Sequence, residues 1–253
     1  EVSKQPQQPQ QQQQVQRTAS GSVSVGKIES KYFTYGSLIL GTSTILICYI
    51  GSVYMGYVPI WIPMISDTFV YPPMSYISRF GMITTASLLF VNSLMFYFFL
   101  ETASLGGRKA QDSWGMACAL VASLGLATLV SCNEDENGSI HGTSAVIFFF
   151  MELVYMWMST YRLYKDQSET HTIQPTSLKI KFTISIFVTV LMVAFGLMSM
   201  NWDRWGTWIA IEEWTGVLMI LLYNASYAYE FQDSEFLGSM TMTPPTAGLP
   251  TSA

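Results

Sequence analysis

Six long apolar stretches separated by short polar breaks fill residues 33–232 and leave few folds open. They run from about Tyr35 to Tyr57, with apolar residues continuing to Ile65, then Phe80–Leu100, Trp114–Ser131, Gly142–Tyr161, Phe182–Met200 and Trp208–Tyr229. Crossing about 30 Å of hydrocarbon takes roughly 20 helical residues at ~1.5 Å each. Backbone amides find no partner in lipid, so each stretch is expected to be a helix. A transmembrane β-barrel would instead need shorter, alternating segments. The fold class expected is therefore all-α: a polytopic membrane protein with a six-transmembrane-helix bundle over 33–232.

Composition agrees. Only 11% of the 253 residues are charged and 50% are hydrophobic, whereas a soluble domain carries about 25% charge. A water-soluble enzyme of this size could not cover its surface with so few charges. The net charge of −5 argues against a phosphate-tracking surface, so no nucleic-acid partner is expected. Three cysteines are too few for a disulfide framework. The flanks differ from the middle: residues 1–32 hold QPQQPQQQQQVQ, and residues 233–253 end in SMTMTPPTAGLPTSA. Such segments bury little and are expected to be disordered.

Basic residues set the orientation. Lys4, Arg17, Lys27 and Lys31 precede the first span, Arg108 and Lys109 follow the second, and Arg162, Lys165, Lys179 and Lys181 follow the fourth. Only Arg79 and Arg204 fall on the other side, where Glu134, Asp135 and Glu136 also lie. Both termini are expected to be cytosolic. Trp61, Trp114, Trp202, Trp205 and Trp208 stand at span ends, where an amphipathic ring suits the headgroup layer. In the third span Gly115, Ala119 and Ser123 form a small-residue stripe suited to close helix contact.

The polar residues gather on the non-cytosolic side. The loop WIPMISDTFVYPP at 61–73 contains Asp67 among turn formers, and its prolines forbid a continuing helix. His141 is expected at the start of the fourth helix, and Glu212 and Glu213 about one turn inside the sixth, preceded by Asp203 and Arg204. With Arg79 these residues form a candidate polar rim, a pocket or a set of loop-tying ion pairs. Glu152 is placed deep in the bilayer, where an ionised carboxylate costs roughly 2.5 kcal/mol or more. No Lys or Arg falls inside the six expected spans, so Asn92, at matching depth in the second span, is the expected partner of a neutral Glu152, with the slightly deeper Tyr223 and Asn224 as alternatives. Asn137-Gly138-Ser139 is a glycosylation sequon on the lumenal side.

No catalytic constellation emerges. Zinc hydrolysis usually needs three protein ligands, and the two histidines, His141 and His171, fall on opposite sides of the membrane. No nucleophile elbow, H-E-x-x-H or phosphate loop occurs. No metal, no cofactor and no catalytic residue is assigned.

The segments ISDTFVYPP, HGTSAVIFFF, IEEW and YNASYAYEF resemble the DRAM (damage-regulated autophagy modulator) family. That family shares a six-span domain with the GPI-anchor lipid-remodelling factor, a fungal cell-wall and GPI-ceramide protein, and membrane regulators of phosphatidylinositol 4-kinase. Met74-Ser75 stands here where members commonly carry Glu-Ser. The resemblance implies an integral protein of the plasma membrane or endomembranes (Golgi or lysosome), tied to lipid handling and autophagy. The expected function is non-enzymatic: binding membrane lipids, organising other membrane proteins, or both. The alternatives are a GPI- or sphingolipid-remodelling enzyme or its cofactor, and an accessory subunit of a larger membrane complex.

Overall fold

A computed structural model describes residues 23–24, 28–103, 109–170, 175–231, 235–236 and 239–240. Among these, six α-helices lie within one compact unit, Glu29–Ser234. They are α1 (Lys31–Tyr54), α2 (Met74–Ala103), α3 (Ala110–Ser131), α4 (Glu134–Thr170), α5 (Pro175–Met198) and α6 (Trp202–Ala225). In the flanking unit Val23–Ser24 pairs antiparallel with Ser239–Met240. Most of the two tails expected to be disordered, the Gln-rich tract included, lies outside the described residues.

Five segments are long and apolar enough to cross a membrane: Lys31–Tyr54, Met74–Leu100, Ala110–Ser131, Glu134–Gln167 and Pro175–Tyr229. The expected count of six is therefore not matched one to one. The last segment has 55 residues, about 80 Å if it were one straight helix, far more than a bilayer's hydrocarbon. It is broken instead at Ser199–Asn201, where Asn201 leaves helical geometry (φ −144°, ψ 74°), and α5 and α6 pack against each other.

Consecutive helices are neighbours throughout, and α1 packs on α6 to close the ring. The packing depends on small residues. A Cβ on Gly125 of α3 would meet the Phe148 backbone nitrogen of α4 at 3.0 Å. A Cβ at Gly41 of α1 would meet Leu221 and Thr85, both at 3.1 Å. Gly115, Ala119 and Ser123 are buried in the bundle as well. Around it Ile39, Ile50, Phe80, Val190 and Leu197 are exposed. An apolar girdle of this kind fits hydrocarbon and would aggregate in water.

Helix ends differ from the sequence expectations. Helix α1 stops at Tyr54, ahead of Gly56 (φ 73°), a left-handed position that glycine adopts without strain. Helix α4 begins eight residues before Gly142. Asn133 and Glu136 form a reciprocal cap: the Glu136 N–H donates to Asn133 Oδ1 at 2.8 Å, and the Asn133 N–H to Glu136 Oε2 at 3.4 Å. Asn137 then leaves helical geometry, and its Oδ1 accepts from the Ile140 N–H at 3.1 Å, restarting the helix. His141 thus sits just past this break. Helix α6 begins at Trp202, so Glu212 and Glu213 lie nearly three turns inside it rather than one.

Candidate functional site

A cavity of about 620 Å³ opens inside the bundle, lined by residues of all six helices and of the 64–69 segment. That is an ordinary size for a small-molecule site. Its floor is mostly apolar, with Leu89, Phe148, Ile220 and Leu221. Most of its polar groups lie toward the 55–73 end, among them Ser66, Asn133, Glu134, His141, Glu212 and Glu213, while Thr85 lies deeper, beside Leu221. Among the described residues no Lys or Arg lines it.

The segment between α1 and α2 is fastened to α6 at this mouth. The Ile65 N–H donates to Glu213 Oε2 at 2.7 Å, and Trp214 Nε1–H to the Pro63 carbonyl at 2.8 Å. Tyr49 packs edge-on against Trp214, with ring centroids 5.5 Å apart. A short 3₁₀ turn, Ser66–Phe69, follows. Asp67 Oδ2 accepts from the Met64 N–H at 3.3 Å. Burial pushes the Asp67 carboxyl above the ordinary carboxylate range, and the negative Asp135 adds to this; the Met64 bond and His141 oppose it.

His141 is held rather than free. Its Nδ1 lies 3.1 Å from the carbonyl oxygens of both Leu129 and Cys132. Two acceptors assign the proton to Nδ1, which donates to both. Arg79 pairs with Glu136 at 2.5 Å on the outer surface. Asp203 and Arg204 are exposed, with the Arg204 guanidinium 5.1 Å from the Trp205 ring centre, and neither lines the cavity. Of the seven rim candidates, His141, Glu212 and Glu213 line the cavity. Asp67 stands close enough to Glu213 and His141 to act on both electrostatically. Asn137 is exposed and serves as a helix cap.

Glu212 differs from its neighbour. It is only 9% exposed and lines the cavity, yet among the described residues it accepts no hydrogen bond and pairs with no cation.

Deeper in the bundle, buried Glu152 Oε1 accepts from Asn224 Nδ2 at 2.9 Å, joining α4 to α6. Asn92 Nδ2 donates instead to Ser37 Oγ at 3.2 Å, joining α2 to α1. Further along, Tyr223 bonds Ser159, Thr160 and the Met156 carbonyl, and the Tyr227 hydroxyl donates to Tyr155.

Two buried ionic groups were not legible in the sequence. Lys181, expected in a loop, lies within α5 and is fully buried, with Nζ 3.1 Å from Glu230 Oε2 and 2.6 Å from Ser226 Oγ. Arg162, also expected in a loop, lies within α4, with Nε 3.2 Å from Asp112 Oδ1 and Nη1 2.9 Å from Asp166 Oδ1. The short Ser–x₃–Lys spacing in α5 (Ser177, Lys181) is the one local hint: it stacks a hydroxyl one turn before the ammonium.

Comparison with known proteins places these features. The model of the family described as Frag1/DRAM/Sfk1/Cwh43P N-terminal domain matches residues 29–234. The DNA damage-regulated autophagy modulator protein 1 of Xenopus laevis is 25% identical over 211 residues, covering 77% of this chain and 87% of that protein. The modulator of macroautophagy TMEM150B-B of Xenopus laevis is 26% identical over 172 residues, covering 67% and 71%. No solved structure matches significantly.

Proposed function

The chain belongs to the Frag1/DRAM/Sfk1/Cwh43P N-terminal domain family and is an integral membrane protein; from that premise we propose that it acts as a membrane regulator by holding a lipid inside its bundle, without catalysis. The relatives' names speak of autophagy modulation, and the same role is proposed here, in the plasma membrane or an endomembrane. The observation that carries the lipid reading is the cavity, mostly apolar at its floor and with its carboxylates at its mouth, which has the polarity gradient of a lipid. Both termini are assigned to the cytosol on the basic-residue asymmetry, with the cavity mouth on the opposite side. Labelling of a cysteine placed at Glu136 from the cytosolic face would overturn that assignment.

Ala145 lines the cavity, so Ala145→Trp should fill it from within. Lipid extracted from purified protein and weighed by mass spectrometry should be near stoichiometric in the natural sequence and strongly reduced in the variant. Equal lipid in both, with the variant folded, would refute the lipid-holding function.

The presence of His141, Glu212 and Glu213 at one mouth supports a second reading, a lipid-remodelling enzyme. Deletion followed by lipidomics separates the two. A changed GPI-lipid or sphingolipid profile that a Glu212→Gln/Glu213→Gln double variant fails to restore favours chemistry.

A further inference from the structure

We propose that the cavity takes an amphiphile with an amine head, its ammonium seated on the Glu212 carboxylate and its hydrocarbon chain running toward Ile220 and Leu221. The proposal deepens the lipid-holding reading and rests on it.

Charge decides the head. Three carboxylates, Glu134, Glu212 and Glu213, line the mouth, and among the described residues no Lys or Arg lines the cavity. Arg79, the basic residue of the α2 start, is paired with Glu136 on the outer surface. Asp67 adds a fourth acidic group within electrostatic reach of Glu213. A phosphate or carboxylate head would meet acidic side chains and no lysine or arginine among the described residues of the lining, in a site where water screens poorly. An ammonium would meet opposite charge and bring donors.

Hydrogen bonding decides the residue. Glu213 already accepts from the Ile65 N–H, and His141 already donates to two carbonyls. Glu212, more than nine-tenths buried and facing the cavity, accepts from no protein group among the described residues. An acceptor held at the wall of a largely apolar cavity without a protein donor is poorly satisfied, and a donor supplied by a ligand removes that cost. Phe149 and Gly216 flank the position: the Phe149 ring edge and Glu212 Oε1 would lie 3.8 and 3.9 Å from a Cβ built on Gly216. The absence of a side chain at Gly216 therefore leaves the space beside the carboxylate open.

Depth decides the tail. From Glu212 to Leu221 the helix descends about 14 Å at ~1.5 Å per residue. The wall below is mostly apolar, with Val217, Ile220, Leu221, Phe148 and Leu89, and its Thr85 hydroxyl already donates to the Gly81 carbonyl at 2.8 Å.

The test uses the full chain in phosphatidylcholine nanodiscs with three probes of one chain length: octadecylamine, octadecanol and octadecanoic acid. The amine should bind at least about tenfold tighter than the alcohol, with the acid weakest. Glu212→Gln should remove the amine's advantage and leave the alcohol unchanged. A diazirine at the tail of the amine should label the 217–221 segment or Phe148 in the unmodified protein, independent of any variant. Equal affinity for amine and alcohol, both lost in Ala145→Trp, would overturn the amine head while leaving the lipid-holding reading intact. So would an amine preference that survives in folded Glu212→Gln. If none of the probes binds, or labelling falls on lipid-facing Val193 and Leu197, the cavity is not a lipid site and both fall.

Discussion

Replacing Lys181 by methionine should destabilise the bundle severely, although it removes a charge from an apolar helix. The Lys181 side chain is fully buried and that of Glu230 is 2% exposed. The ammonium donates to Ser226 Oγ at 2.6 Å, to Glu230 Oε2 at 3.1 Å and to Ser177 Oγ at 3.3 Å, and lies 4.2 Å from the Tyr227 ring centre. Methionine fills similar volume but leaves the Glu230 carboxylate with Ser177 as its donor, at 2.5 Å. Removing one partner of a buried pair costs about 3–5 kcal/mol. At roughly 2–4 °C per kcal/mol for a domain of this size, the melting temperature should fall by about 6–20 °C. The double variant Lys181→Met/Glu230→Gln carries no stranded charge, so it should recover most of the loss. The assay is thermal unfolding in a mild detergent, with Lys165→Met, at a site of higher exposure, as the control. A loss below about 1 kcal/mol, the size of an exposed pair, would refute the reasoning, because it would mean that water or headgroups already solvate Lys181.

Three further outcomes can be checked in the same assay. Gly125→Val should cost about 1–3 kcal/mol, since a Cβ there meets the Phe148 backbone at 3.0 Å; an unchanged melting temperature would show that α3 and α4 can slide apart. Glu152→Gln should be tolerated, because an amide oxygen can still accept from Asn224 Nδ2, whereas Glu152→Leu should cost about 1–3 kcal/mol by leaving one Asn224 N–H without an acceptor, its amide keeping only the Ile220 carbonyl at 3.2 Å. Burial raises the Asp67 pKa in the folded chain, so its stabilising contribution is present below the unfolded value of about 3.9 and is lost as pH rises through the folded one. Asp67→Asn should therefore gain on the natural sequence as pH rises from about 4 toward neutrality, and a difference that is flat with pH would count against it.

What the sequence revealed follows from the range of the interactions involved. The spans were legible because crossing hydrocarbon demands a continuous apolar run, a property of each segment alone. Their ends were not, because the cap of α4 depends on Asn133 and Glu136 meeting in space, and Asn137 then restarts the helix within an otherwise unbroken pattern. The same limit explains Lys181. Counted along the chain it is one more positive charge near a span end, and only the approach of Glu230, 49 residues on, makes it part of the interior. The chain could be read for which residues are polar, but matching depth points Glu152 to Asn92, which bonds Ser37 instead, and the contact with Asn224, the slightly deeper alternative, depends on how the helices pack. Nor could the chain be read for emptiness. Leu89, Phe148, Ile220 and Leu221 look like any packed core, and the void between them exists only because six helices separate around it. The lone Glu212 gains its meaning in the same way. In the sequence it is half of an acidic pair. In the bundle, Glu213 is committed to the Ile65 amide, 148 residues away, and Glu212 is left facing the cavity with its acceptors unused. Two adjacent residues of one type thereby take opposite tasks, one tying the 61–73 segment to α6 and the other left open to whatever enters.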